Sequence, residues 1–171
     1  MELRIQHTWD GVLLEESEHA VLRLTWSPEV LEIAVDAPFA GDPAPPGDGG
    51  ATWQLWDYEV VELFLVGREE RYTEIELGPH GHHLVLRLEG CRNVVEREIP
   101  IRFAATRQEE RWRGVAVISR EHLPEELQQI NAYAIRGTES NRRFMAWSPV
   151  PGDAPDFHRI GLFPTVQEGQ R

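Results

Sequence analysis

The amino-acid sequence predicts one all-β domain, an antiparallel β-sandwich with one short helix. Three observations predict it. Apolar and polar residues alternate at period two along most of the 171 residues. Turn residues punctuate that alternation at short, regular spacing. Helical patterning is confined to one stretch, residues 119–129. A chain of this length fits a single domain spanning 1–171, and such a domain buries roughly two-thirds or more of its chain surface.

The elements follow in order. Leu3, Ile5, His7 and Trp9 share one face, with Glu2, Arg4, Gln6 and Thr8 opposite. Leu22, Leu24 and Trp26 repeat the pattern, and Leu31, Ile33 and Val35 alternate with Glu32 and Ala34. Residues 60–66 (VVELFLV) are almost continuously apolar and read as a central strand. Thr73, Ile75 and Leu77 alternate with Tyr72, Glu74 and Glu76; Leu84, Leu86 and Leu88 alternate with His83, Val85 and Arg87. Further strands are expected near 99–105, 111–118 and 130–137. Trp26-Ser27-Pro28-Glu29 and Gly78-Pro79-His80-Gly81 supply hairpin turns. In residues 119–129, Pro124 suits a first helical turn, and Glu125 and Glu126 favour the positive helix end.

Composition excludes several function classes. Apolar residues make up 41% and charged residues 27%, the balance of a globular chain rather than a disordered one. The formal net charge of -12 opposes nucleic-acid binding, which needs a cationic surface to release counterions, and opposes docking on an anionic membrane. No apolar run approaches the ~18 residues of a membrane helix. The first six residues lack the charged-then-apolar layout of an export signal, so a cytoplasmic protein is expected. All 17 basic residues are arginine, which removes Schiff-base, pyridoxal-phosphate and phosphate-loop lysine chemistry. Cys91, the lone cysteine, permits neither an internal disulfide nor a thiolate metal cluster, and is read as a small buried apolar residue. There is no Gly-x-Ser-x-Gly elbow, phosphate loop or dinucleotide fingerprint. No cofactor and no metal are expected.

Candidate site residues cluster around two irregular stretches. Residues 41–50 (GDPAPPGDGG) cannot continue a sheet, and the long loop they form precedes Trp53, Trp56 and Tyr58. Residues 147–158 again combine tryptophan, histidine and carboxylates with prolines. An indole beside such a loop suits stacking on the apolar face of a sugar ring, with nearby polar groups binding hydroxyls. It equally suits capping the core. Asp57 is a hydrogen-bonding candidate. Glu62, set in an apolar run, calls for an arginine partner or a ligand. Arg136 offers a guanidinium fork, and His158 follows Asp156 closely enough to pair with it. His80, His82 and His83 are read as exposed turn histidines rather than metal ligands.

Residues 55–65 (LWDYEVVELFL), 72–81 (YTEIELGPHG), 112–118 (WRGVAVI) leading to Leu123-Pro124, and Ala146-Trp147-Ser148-Pro149 with 155–163 (PDFHRIGLF) resemble the signature of family 9 carbohydrate-binding modules, within the wider DOMON-like group of β-sandwiches. A closer resemblance covers nearly the whole chain. Residues 7–11 (HTWDG), 55–62, Pro79-His80-Gly81 with 83–86 (HLVL), Arg92-Asn93-Val94, and Pro149-Val150-Pro151 with 155–158 (PDFH) look like the uncharacterised family that includes the human chromosome 4 open reading frame 33 protein. In family 9 modules two tryptophans sandwich a terminal sugar while polar side chains bind its hydroxyls. The resemblance therefore implies Trp56 and Trp147 as the rings and Glu62 as a polar partner. Those modules are typically secreted with glycoside hydrolases, whereas this chain is read as stand-alone and without an export signal.

The resulting expectation is a non-catalytic binding domain for a small polyhydroxylated ligand, a sugar or glycan end. Trp56 and Trp147 would stack on it, with Glu62, Arg136, Asp57 and His158 as polar candidates. The alternatives are a hydrolase or lyase using His158, Asp156 and Glu62, or a protein-interaction module built on the tryptophan loops.

Overall fold

The computed structural model describes residues 1–150 and 152–167. The strands in chain order are β1 (Glu2–Ile5), β2 (His7–Thr8), β3 (Ala20–Trp26), β4 (Val30–Pro38), β5 (Gly50–Ala51), β6 (Val60–Val66), β7 (Arg71–Leu77), β8 (His82–Glu89), β9 (Val94–Arg97), β10 (Arg102–Gln108), β11 (Arg111–Ser119), β12 (Gln129–Arg136) and β13 (Arg143–Ala146). They form two sheets. The smaller has order β1-β3-β4-β11-β10; the larger has order β2-β13-β12-β6-β7-β8-β5, with β9 added on β8. Every pairing is antiparallel except the two-residue contact of β5 with β8.

The sheets pack face to face over the main core. Leu22 and Leu24 from β3, Leu31, Ile33 and Val35 from β4, and Trp112, Ala116 and Ile118 from β11 meet Val61, Leu63 and Leu65 from β6 and Ile75 and Leu77 from β7. Register explains the layering. Val61, Leu63 and Leu65 stand opposite Ala134, Ala132 and Ile130 of β12, and all six point the same way.

The larger sheet has a second covered face, which is why residues 60–66 carry no exposed side. Val60, Phe64 and Val66 point away from the main core and join Leu84, Leu86, Leu88 and Tyr133. Phe157, Ile160 and Phe163 of the C-terminal segment lie over them. Phe157 stacks on Tyr133 at 3.8 Å between ring centroids.

Two local expectations need correction. Residues 119–129 form no α-helix; they make one 3-10 turn, Arg120–His122. Leu123 and Leu127 then drop into the core while the chain crosses between sheets, and the Gln128 amide already bonds the Val66 carbonyl. The residues left after Pro124 are too few to propagate a helix. Cys91 is exposed, in the turn between β8 and β9.

The proline- and glycine-rich loop is tied down rather than free. The Glu59 carboxyl accepts from the Ala40 amide at 3.0 and 3.2 Å, and Asp42 Oδ2 accepts from the Gly137 amide at 2.7 Å. Gly49 has φ +102°, and a Cβ there would lie 3.1 Å from the Gly81 oxygen. Both the backbone sign and the space require glycine.

Leu63 sits in the main core at 1% exposure. Leu63→Ala should lower stability by about 2–5 kcal/mol. Urea unfolding checks this, with an unchanged denaturant slope as the sign that only the native packing was lost.

Candidate functional site

A cavity of about 560 Å³ opens on the second face of the larger sheet, beside the C-terminal cover. Its floor comes from alternate residues of four strands: Glu62 of β6, Glu74 of β7, Leu86 and Leu88 of β8, and Ile135 of β12. Trp53, Trp56 and Asp57 form one wall; Arg142 and Phe144, then Pro155, Phe157 and His158, form the others, with Arg92 and Val94 at the remaining side.

The tryptophan wall is set by local backbone. Gln54 takes a left-handed conformation (φ 62°, ψ 34°), and the 3-10 turn Leu55–Asp57 follows. Leu55 is fully buried and pins that turn to the sheet. Trp53 and Trp56 meet edge to face, with centroids 5.1 Å apart. The Arg142 guanidinium donates to the backbone carbonyls of Trp56 and Asp57, which braces the turn from the β13 side. Arg97 lies over the Trp53 ring at 5.1 Å.

Three carboxyls are buried together. Glu62 and Glu76 are direct cross-strand partners, and Glu74 lies two residues from Glu76 on the same face. Their exposures are 2%, 0% and 3% for Glu62, Glu76 and Glu74. Glu74 Oε2 and both oxygens of Glu76 have no hydrogen-bond partner. Burial pushes all three upward, Glu74 to about 8. The neighbouring carboxyls reinforce the shift at Glu62 and Glu76, while Arg142 opposes it at Glu62 and Arg92 opposes it at Glu74. With a value of about 8, Glu74 is a carboxylic acid at neutral pH, able both to donate and to accept.

His158 is held neutral. Burial, helped by Arg92, pushes it down to about 4. Its Nδ1 lies 2.8 Å from the Tyr72 hydroxyl, which itself accepts from the Arg92 amide at 3.2 Å. The hydroxyl proton is thus directed to Nδ1, which assigns the ring proton to Nε2. Nε2 lies 3.9 Å from Glu74 Oε2. Asp156 Oδ1 accepts from the His158 backbone amide at 3.0 Å and pairs with Arg92 at 2.9 Å. Asp156 thus meets His158 through its backbone, not its ring, and no His–Asp relay is formed.

Of the residues singled out from sequence, Trp56, Asp57, Glu62 and His158 line the cavity. Trp147 and Arg136 do not, and parity is the reason. Tyr133 and Ile135 face the cavity side, so Arg136 points to the opposite face, where it pairs with Glu18 at 2.9 Å. Ala146, paired with Tyr133, faces the cavity side, so Trp147 turns inward and packs on the main core. The second indole of the wall is Trp53. His82 and His83 are buried in β8 at 1% and 8% exposure rather than exposed at a turn, with His82 Nδ1 2.9 Å from the Thr52 hydroxyl. No group of three metal-ligating side chains occurs among the described residues. Sequence reasoning missed Glu74, Glu76, Arg92 and Arg142. The available signal was the two-sided apolar run of β6: if both faces of that strand are covered, Glu74 and Glu76 on its neighbour are covered too.

The buried acids set a pH dependence. Their folded values lie above the ordinary 4.5, so their contribution to stability is full below that value and is lost as pH rises through the folded values. His158, depressed from 6.5 to about 4, acts in the opposite sense between those values. Above pH 6.5 only the carboxyl effect remains among these groups, so Tm should fall toward pH 8. Glu74→Gln should flatten that fall in thermal melts, and an equally steep fall would refute the assignment.

No family model matches the chain. Among solved structures, a Bacteroides uniformis ATCC 8492 protein assigned as carbohydrate-binding superposes with a TM-score of 0.74 at 16% identity, covering 96% of this chain and 84% of its own; that likeness is one of fold. A family 9 carbohydrate-binding module from Caldicellulosiruptor kristjanssonii, in complex with cellotriose, gives a TM-score of 0.47 at 12% identity over 75% of this chain and 64% of its own, too loose to argue from. The Danio rerio homolog of UPF0462 protein C4orf33 is 37% identical over 174 residues, 95% of this chain and 87% of its own. The human UPF0462 protein C4orf33 is 40% identical over 172 residues, 95% of this chain and 86% of its own. Identity of that extent, over 95% of the chain, places this protein in the UPF0462 family of C4orf33.

Proposed function

We propose that this chain is a non-catalytic binding domain for a small polyhydroxylated ligand, a sugar or glycan end, held in the cavity of the larger sheet. One observation carries the reading: two indoles wall a cavity whose floor holds the buried carboxyls of Glu62 and Glu74, and one oxygen of Glu74 has no hydrogen-bond partner. The volume of about 560 Å³ falls within the range of small-ligand sites. A sugar offers an apolar ring face to Trp53 and Trp56. Its hydroxyls both donate and accept, as the Glu74 carboxyl does. The Bacteroides uniformis protein of the same fold is itself assigned to carbohydrate binding.

Glycoside hydrolysis fits the site less well. It needs two carboxyls whose environments drive them apart, one kept protonated and one ionised. Here burial drives Glu62, Glu74 and Glu76 in the same direction. The His158–Asp156 pairing that a general-base reading needs is also missing from the ring.

Intrinsic tryptophan fluorescence, titrated with mono- and oligosaccharides, tests the proposal. A saturable change is expected, weakened about tenfold or more by Trp53→Ala and by Trp56→Ala. Trp147→Phe should retain it. A folded protein giving no change across the panel would overturn the reading.

A further inference from the structure

The cavity floor is more acidic than a neutral polyol requires. Glu62, Glu74 and Glu76 occupy adjacent same-face positions of β6 and β7. Side chains so placed are about 5 Å apart when directly opposite and about 7–8 Å on the diagonal. Glu74 borders the cavity at 3% exposure, and its Oε2 has no partner.

The nearby cations are engaged elsewhere. Arg142 donates to the backbone carbonyls of Trp56, Asp57 and Gly137. Arg92 pairs with Asp156. Neither forms a salt bridge with Glu62, Glu74 or Glu76 among the described residues. His158 Nε2 stops 3.9 Å short of Glu74, beyond hydrogen-bond range.

A compact metal ion does not suit this spacing, since no three ligating side chains converge among the described residues. A cation with several donors on an extended body suits it better. The aromatic wall agrees, because indole faces attract organic cations and Trp53 already holds the Arg97 guanidinium.

We propose that the preferred ligand is a cationic polyol of the amino-sugar class, its ammonium directed at the Glu74 and Glu62 carboxyls and its ring against Trp53 and Trp56. The inference rests on the polyol-binding reading of the same cavity and adds a charge to the ligand. Binding then has a proton balance. An arriving ammonium keeps its protons and favours an ionised floor; a floor carboxyl, protonated at neutral pH, releases its proton to solvent as the N–H···O pair forms. Glu76 and Glu62 resist that ionisation, Arg92 and Arg142 assist it, and neutral His158, the Tyr72 and Tyr133 hydroxyls and exposed Asp57 also face the floor.

Isothermal titration calorimetry of the intact chain tests this with glucosamine, glucose, N-acetylglucosamine and cyclohexylammonium, at neutral pH in two buffers of different ionisation enthalpy. Glucosamine should bind about tenfold or more tightly than glucose or N-acetylglucosamine, with proton release that the neutral sugars lack. Glu74→Gln should abolish both the preference and the proton release. Equal binding of all three sugars would overturn the cationic inference and leave the polyol reading intact. Cyclohexylammonium binding with proton release, but no sugar binding, would support the cationic floor and overturn the polyol reading. No binding by any of the four would overturn both. The wild-type comparison of glucosamine with its N-acetyl form removes the charge without mutation, so it decides the matter even where Glu74→Gln fails to fold.

Discussion

A sheet covered on both faces obliges each central strand to serve two environments at once. Along β6, Val61, Leu63 and Leu65 belong to the inter-sheet core, and Glu62, Phe64 and Val66 belong to the outer one. The side-chain period of two makes this division absolute: a slip of one residue would send Glu62 into the inter-sheet core and Leu63 out to the cavity. The register of β6 with β7 and β12 therefore sets core packing and cavity chemistry together. Neither can change without the other.

The outer layer is assembled from chain segments far apart in sequence. Phe157 stacks on Tyr133, and Phe163 meets the edge of Phe64 with centroids 5.9 Å apart, so the C-terminal segment covers part of the larger sheet. The cavity is the part left uncovered. Its mouth is shaped by the Leu55–Asp57 turn, which Leu55 anchors from below and Arg142 braces from the side. The proline- and glycine-rich loop leads into that turn and is moored through Glu59 and Asp42. A loop so moored presents Trp53 and Trp56 in a defined place, which lowers the ordering cost a ligand would meet.

The acidic floor runs against ordinary stability. Buried carboxyls without partners are among the costlier arrangements a fold can contain. Here Glu62 and Glu74 lie on the cavity floor beside the indole wall. Local violations of packing rules of this kind are expected at functional sites.

Much of the architecture was legible in the sequence because strand alternation and turn residues are local signals. The two-sided character of β6 was visible in VVELFLV, and Glu62 stood out there as a carboxyl needing a partner or a ligand. Trp56, Asp57 and His158 also drew notice by their composition and neighbours. Trp147 and Arg136 looked equally suitable, yet they face away from the cavity, because pairing with β12 and its parity decide the face and no local pattern records either. Glu74 and Glu76 were the polar half of the β7 alternation and gave no local sign that a second layer would bury them. The sequence by itself determined most of the longer strands and the all-β class, since these follow from period-two patterning within short windows; it did not mark which face of β8 turns inward, where Val85 and not Leu84, Leu86 or Leu88 joins the inter-sheet core. Only the tertiary structure decided which charged and aromatic side chains share a cavity, because that depends on strand pairing and coverage between residues as far apart in sequence as Trp53 and His158.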